Sequence, residues 1–167
     1  MKRIAAFGAS VTQQENGYVD QLAKKLGSNI KKFGYGGMHL PDAGICFIDT
    51  VCNYKPDIVF IDWFSTDYMQ QSDRTLQCID TILYKFSLIK CIVVFLIFPE
   101  RRTDGRQQEK ESFYDFCRKA LKERNAYFID ISSKFENSDL SNILRDSIHT
   151  TVQGGVLCRT DSAKFAY

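Results

Sequence analysis

Apolar residues along this chain follow two rhythms. In some stretches they run without a break, and in others they recur every three or four positions. The first rhythm predicts strands covered on both faces, the second amphipathic helices. Lys2 to Phe7 predicts a first strand. Val19, Leu22, Ala23 and Leu26 predict a helix from Gly17 to Leu26, stopped by Gly27-Ser28-Asn29. Ile30 to Phe33 is a weaker second strand running into the turn Gly34-Tyr35-Gly36-Gly37. Ala43, Cys46, Phe47 and Val51 predict a helix over Pro41 to Asn53, with Pro41 in its first turn. Ile58 to Trp63 is a third strand, followed by the polar turn Ser65-Thr66-Asp67. Leu76, Ile79 and Leu83 place a helix from Ser72-Asp73 to about Tyr84. Lys90 to Phe98, β-branched and continuous, is the strongest strand, and Pro99 to Gly105 is a loop. Phe113, Phe116, Cys117, Ala120 and Leu121 mark one face of a helix from Arg106 to Asn125. Ala126 to Ile131 is the fifth strand, then come a short helical turn near Leu140 to Leu144 and a last helix from about Val152 to Ala163.

This alternation predicts one α/β domain over residues 1–167, a three-layer α/β/α sandwich around a five-stranded parallel sheet. In such sheets, sites form outside the carboxyl ends of the strands. That edge gathers Ser10 in Gly8-Ala9-Ser10-Val11-Thr12, the Gly34 to Gly37 turn, Ser65-Thr66-Asp67 and the segment from Asp146 to His149. A serine between strand and helix can be a nucleophile, or it can cap the helix. A nucleophilic serine needs a base. The chain has two histidines, His39 and His149. Asp146, three residues before His149, can reach its Nδ1 and fix the tautomer, or it can simply cap a turn. His39 has only Asp42 nearby in sequence and reads as a shaping or substrate-contacting residue. The glycine turn suits an oxyanion hole, or a plain tight connection.

Composition narrows the partners. Basic residues number 22 and acidic ones 20, for a net charge of +2, and the basic pairs Lys24-Lys25, Lys31-Lys32 and Arg101-Arg102 form no stripe. No nucleic-acid partner is expected. The six cysteines include no C-x-x-C pair and read as free thiols in a reducing compartment. Neither a dinucleotide fingerprint nor a P-loop occurs, so no cofactor and no metal is expected. Ile4 to Phe7 is too short for the apolar core of a signal peptide, and Ile89 to Phe98 is too short to span a bilayer. The reading is a soluble cytoplasmic protein without membrane insertion, its oligomeric state open.

Taken in order, these blocks resemble the SGNH hydrolase superfamily, the GDSL-type lipases and esterases. Gly8-Ala9-Ser10-Val11-Thr12 is similar to the family's first block, Gly37 to the second and Asp146-x-x-His149 to the last, with Gly154-Gly155 following. The third block, Trp63-Phe64-Ser65-Thr66-Asp67, has Thr66 where the family has asparagine, and Ala9 stands where it has aspartate. The resemblance implies a flavodoxin-like sandwich and a serine ester hydrolase acting on an acyl ester or a carbohydrate O-acetyl ester. Ser10, His149 and Asp146 would be catalytic, and the oxyanion hole would be drawn from Ser10, Gly37 and Thr66. Tyr35, His39, Trp63 and Ser65 are candidate substrate contacts, with Phe64 and Tyr68 beside them. The implied partner is a small-molecule or glycan ester. Two further readings stay open: a sugar acyltransferase on the same site, and a catalytically silent domain of the same fold.

Overall fold

The computed structural model describes residues 2–64, 73–100, 105–135, 140–146 and 148–151. Five strands, β1 (Ile4–Gly8), β2 (Ile30–Gly34), β3 (Ile58–Asp62), β4 (Ile92–Ile97) and β5 (Tyr127–Asp130), form one parallel sheet in the order β2-β1-β3-β4-β5. Every residue of β1 and β3 is buried, as their unbroken apolar runs require. Side chains alternate between two cores. Ala5, Phe7, Val59, Ile61, Phe95 and Ile97 face one side, where they meet α3 (Ile48–Asn53), α4 (Asp73–Leu88) and α5 (Gln107–Glu123). Ile4, Ala6, Ile58, Phe60, Val94 and Leu96 face the other, covered by α2 (Tyr18–Leu26) through Tyr18, Val19 and Leu22. The α/β sandwich expected from the alternation is the observed fold.

Three elements differ from expectation. The turn after β1 contains a short helix, α1 (Ser10–Gln13). The expected helix over residues 41–53 is broken into one π-helical turn, Leu40–Gly44, and α3. The break brings Gly44 against the core: a Cβ there would lie 2.7 Å from Leu40 Cδ1 and 3.4 Å from Trp63 Cε2. Helix α4 runs past Tyr84 to Leu88, since Phe86 is wholly buried and extends the apolar stripe. The expected last helix, Val152 to Ala163, lies outside the described residues.

The sheet's direction of winding reverses at β1, whose neighbours are β2 and β3. Connections leave such a switch point to opposite faces, so a crevice opens there at the carboxyl edge. The register brings Gly8, Gly34 and Asp62 level at that edge. Ser10 begins just beyond it.

Candidate active site

Ser10 is the first residue of α1 and is partly exposed. It does not cap the helix: Ala9 holds the cap position, and no side chain bonds there. A four-residue helix has no stability of its own, so its surroundings must hold it. They do so through close backbone contact. A Cβ on Gly34 would stand 2.5 Å from Gln13 N, and a Cβ on Gly8 would run into the Asp62 carbonyl. The Ala9 N–H donates to that same carbonyl at 3.0 Å. Beneath α1, Thr12 Oγ1 donates to Asp62 Oδ2 at 3.2 Å and lies 3.1 Å from the Tyr18 hydroxyl, all three residues being buried. Burial, and after it the charge of Asp62, push the Tyr18 phenol well above its ordinary range. Tyr18 therefore keeps its proton and donates it to Thr12, while Thr12 donates to the carboxylate.

His149 sits on a tight reversal. Leu144 and Thr150 pair antiparallel, and the Arg145 N–H donates to the His149 carbonyl at 2.7 Å. The Asp146 carboxylate fills the turn. Its Oδ1 accepts the N–H groups of Ile148 and His149 at 3.0 and 2.8 Å, and its Oδ2 lies 2.8 Å from His149 Nδ1. Partial burial favours the neutral acid, but the His149 and Ile148 N–H groups and the imidazole outweigh it, and the Asp146 carboxyl falls to about 2. Facing two carboxylate oxygens, Nδ1 carries the proton of the neutral ring, which leaves the lone pair on Nε2.

Ser10 and His149 line one open cleft of about 280 Å³, together with Gln13, Gln14, Glu15 and Arg145. Gln14 ties the two sides, its Nε2 donating to the Thr150 carbonyl at 2.6 Å. The glycine turn borders Ser10 through Gly36, where a Cβ would stand 3.8 Å from Ser10 Cβ. The Gly36 N–H donates to Gln13 Oε1 at 2.9 Å. Gly37 has φ +73° and open space around it. Tyr35 is partly buried and stacks on Phe47, the ring centroids 4.2 Å apart. Half-buried His39 opens the π-helical turn, its carbonyl accepting the Asp42 N–H at 3.2 Å.

One expectation needs correcting. Trp63 has no exposed surface; its ring meets Phe7 edge-on at 5.3 Å and packs under Gly44. A ring inside the core offers no face to a sugar, and the same holds for Phe64, packed on Phe95 and Phe113. Ser65, Thr66, Asp67, Tyr68 and Gly154-Gly155 lie outside the described residues. Gln13, Gln14 and Arg145 were not singled out from sequence. The signal for the glutamines was their helical spacing from Ser10, three and four residues on. Among the described residues no three His, Cys, Asp or Glu side chains gather as a metal site, and no helix is long and apolar enough to cross a membrane.

No protein-family model and no curated protein matches this chain. Solved structures do resemble it. An acetyl xylan esterase, AlAXEase, is 18% identical with a TM-score of 0.78, covering 96% of this chain and 98% of that one. A member of the lipolytic protein G-D-S-L family from Veillonella parvula DSM 2008 is 17% identical, with a TM-score of 0.77 and coverages of 98% and 97%. The lipase/acylhydrolase from Enterococcus faecalis is 17% identical, with a TM-score of 0.80 and coverages of 98% and 96%. The sandwich is therefore the SGNH-hydrolase fold.

Proposed function

We propose that this protein is a serine ester hydrolase acting on short acyl esters, of small molecules or of carbohydrates. One observation carries the reading: Ser10 and His149 share a cleft, and the Nδ1 of His149 is bonded to the Asp146 carboxylate. Ser10 Oγ attacks the ester carbonyl carbon while His149 Nε2 takes its proton. Backbone N–H groups of Ser10 and Gly37, with the Thr66 hydroxyl, stabilise the oxyanion. The tetrahedral intermediate expels the alcohol, which leaves with the proton from Nε2. Water, activated by the same nitrogen, then attacks the acyl-enzyme and releases the carboxylic acid. Asp146 keeps the ring oriented and offsets its charge.

The short-acyl preference rests on the cleft, whose lining among the described residues, Ser10, Gln13, Gln14, Glu15, Arg145 and His149, offers no apolar trough for a long chain. The likeness to an acetyl xylan esterase points the same way. The described cysteines, Cys46, Cys52, Cys78, Cys91 and Cys117, are free, which supports a cytoplasmic setting. Hydrolysis of p-nitrophenyl acetate tests the reading. Ser10→Ala is expected to lower kcat at least about a thousandfold and to abolish labelling by a fluorophosphonate. Equal rates for the two proteins sink the proposal. Release of the acetyl group to an added sugar rather than to water would make the enzyme a transferase.

A further inference from the structure

A lysine inside an apolar core is costly, because its ammonium loses its water. Lys110 on α5 has no exposed surface. Its Nζ lies 2.7 Å from a carboxylate oxygen of Glu100, itself buried, and donates to the Phe64 carbonyl at 2.8 Å. The ammonium also sits over the Tyr114 ring at 4.7 Å, and the Tyr114 hydroxyl donates to the Phe98 carbonyl at 2.6 Å. Phe64 follows β3, and Phe98 and Glu100 follow β4. One side chain on a helix thus grips the carboxyl ends of two adjacent strands, on the sheet edge that carries Ser10. Apolar residues of similar volume would stabilise a core as well as a buried ion pair does, or better. What they could not supply is a directed bond to the Phe64 carbonyl.

We propose that Lys110 and Glu100 form a positioning pair for the catalytic edge: Lys110 fixes the end of β3 through the Phe64 carbonyl, and Glu100 holds the ammonium in place. The consequence for catalysis rests on the hydrolase reading above, since Ser65-Thr66-Asp67, the expected source of an oxyanion donor, follows directly on Phe64. The placement itself has an independent reporter. Trp63, next to Phe64, is the only tryptophan in the chain.

The test uses the full chain and the variant Lys110→Met with Glu100→Leu, which removes both charges at similar volume. A second, milder variant, Lys110→Gln with Glu100→Gln, removes both charges while keeping two hydrogen-bonding side chains, and residue 110 is then too short to hold Phe64. Thermal unfolding, Trp63 emission with acrylamide quenching, and kcat and KM on p-nitrophenyl acetate are measured for each. The expected result is a melting point close to wild type, a red-shifted and more readily quenched Trp63, and kcat lowered about tenfold or more at a KM within about twofold. Lys110→Arg, which retains charge and donors, should restore kcat to within about threefold. Wild-type emission and wild-type kcat in either folded double variant overturn the proposal. So does failure of both to fold, since the pair would then belong to the fold itself. Should the wild-type protein hydrolyse no ester, the activity falls, and Trp63 emission alone decides the positioning pair.

Discussion

The two sides of the cleft are built differently. Ser10 stands on a helix too short to exist alone, held by glycine contacts at two strand ends and by the buried line from Tyr18 through Thr12 to Asp62. His149 stands on a reversal, exposed at Arg145 and Asp146, whose shape rests on one carboxylate, a few local bonds, the packing of Ile148 on the core and the Gln14 bond to Thr150. The place of Ser10, the proposed nucleophile, is set many times over by the core. The ring of the proposed base, His149, is held by Asp146. It follows that damage on the histidine side should cost activity with little loss of fold, and damage on the serine side should cost both.

Asp146→Asn gives the largest expected departure. An amide cannot stabilise the imidazolium and can select the wrong tautomer, so kcat should fall about a hundred- to ten-thousandfold while the melting point barely moves. Parallel loss of fold would erase the contrast between the two sides. Gly34→Ala probes the other side. Its Cβ would press on the Gln13 backbone, 2.5 Å away, so unfolding free energy should fall by about 1–3 kcal/mol and kcat with it. An alanine that left both unchanged would show that α1 is not held by that contact.

Gln14→Ala removes the tie between the sides. The lost bond to the Thr150 carbonyl is worth about 1 kcal/mol, so unfolding free energy should fall by about that much and kcat severalfold. The smallest effect concerns pH. The Asp146 carboxyl, depressed to about 2, adds stability that is complete above the unfolded carboxyl range near 4 and is lost as pH falls through the folded value. The side chain is 46% exposed, so screening by water leaves about 1 kcal/mol at most. Acid titration of unfolding, compared between wild type and Asp146→Asn, reads it: the two should converge near pH 2. Between there and neutrality Asp146 stays ionised.

The strands were legible because each is an unbroken apolar run, and a run of that kind buried on both faces has few other solutions. The pairing of Asp146 with His149 was legible for a local reason, three residues of separation in a turn. What sequence spacing missed was set from outside each segment. Helix α1 exists because β2 and β3 press on it. The stretch from Pro41 breaks because Gly44 meets Trp63. Trp63 follows directly on β3, and an aromatic there can face solvent or core; the choice falls to Phe7 and Gly44, which no local pattern encodes. Asp62 is the plainest case. It ends an apolar strand as a buried carboxylate, and only the fold reveals its partner Thr12.

The bond from Gln14 to Thr150 joins residues that emerge from the ribosome far apart in time. Ser10 and most of the sheet are synthesised long before the reversal that carries His149. Until that reversal docks, Ser10 lacks the base proposed for it and the cleft lacks the wall that His149 and Arg145 supply. On the proposed reading, a polypeptide stalled before Thr150 would hold all five strands of the sheet and a hydroxyl still without its base.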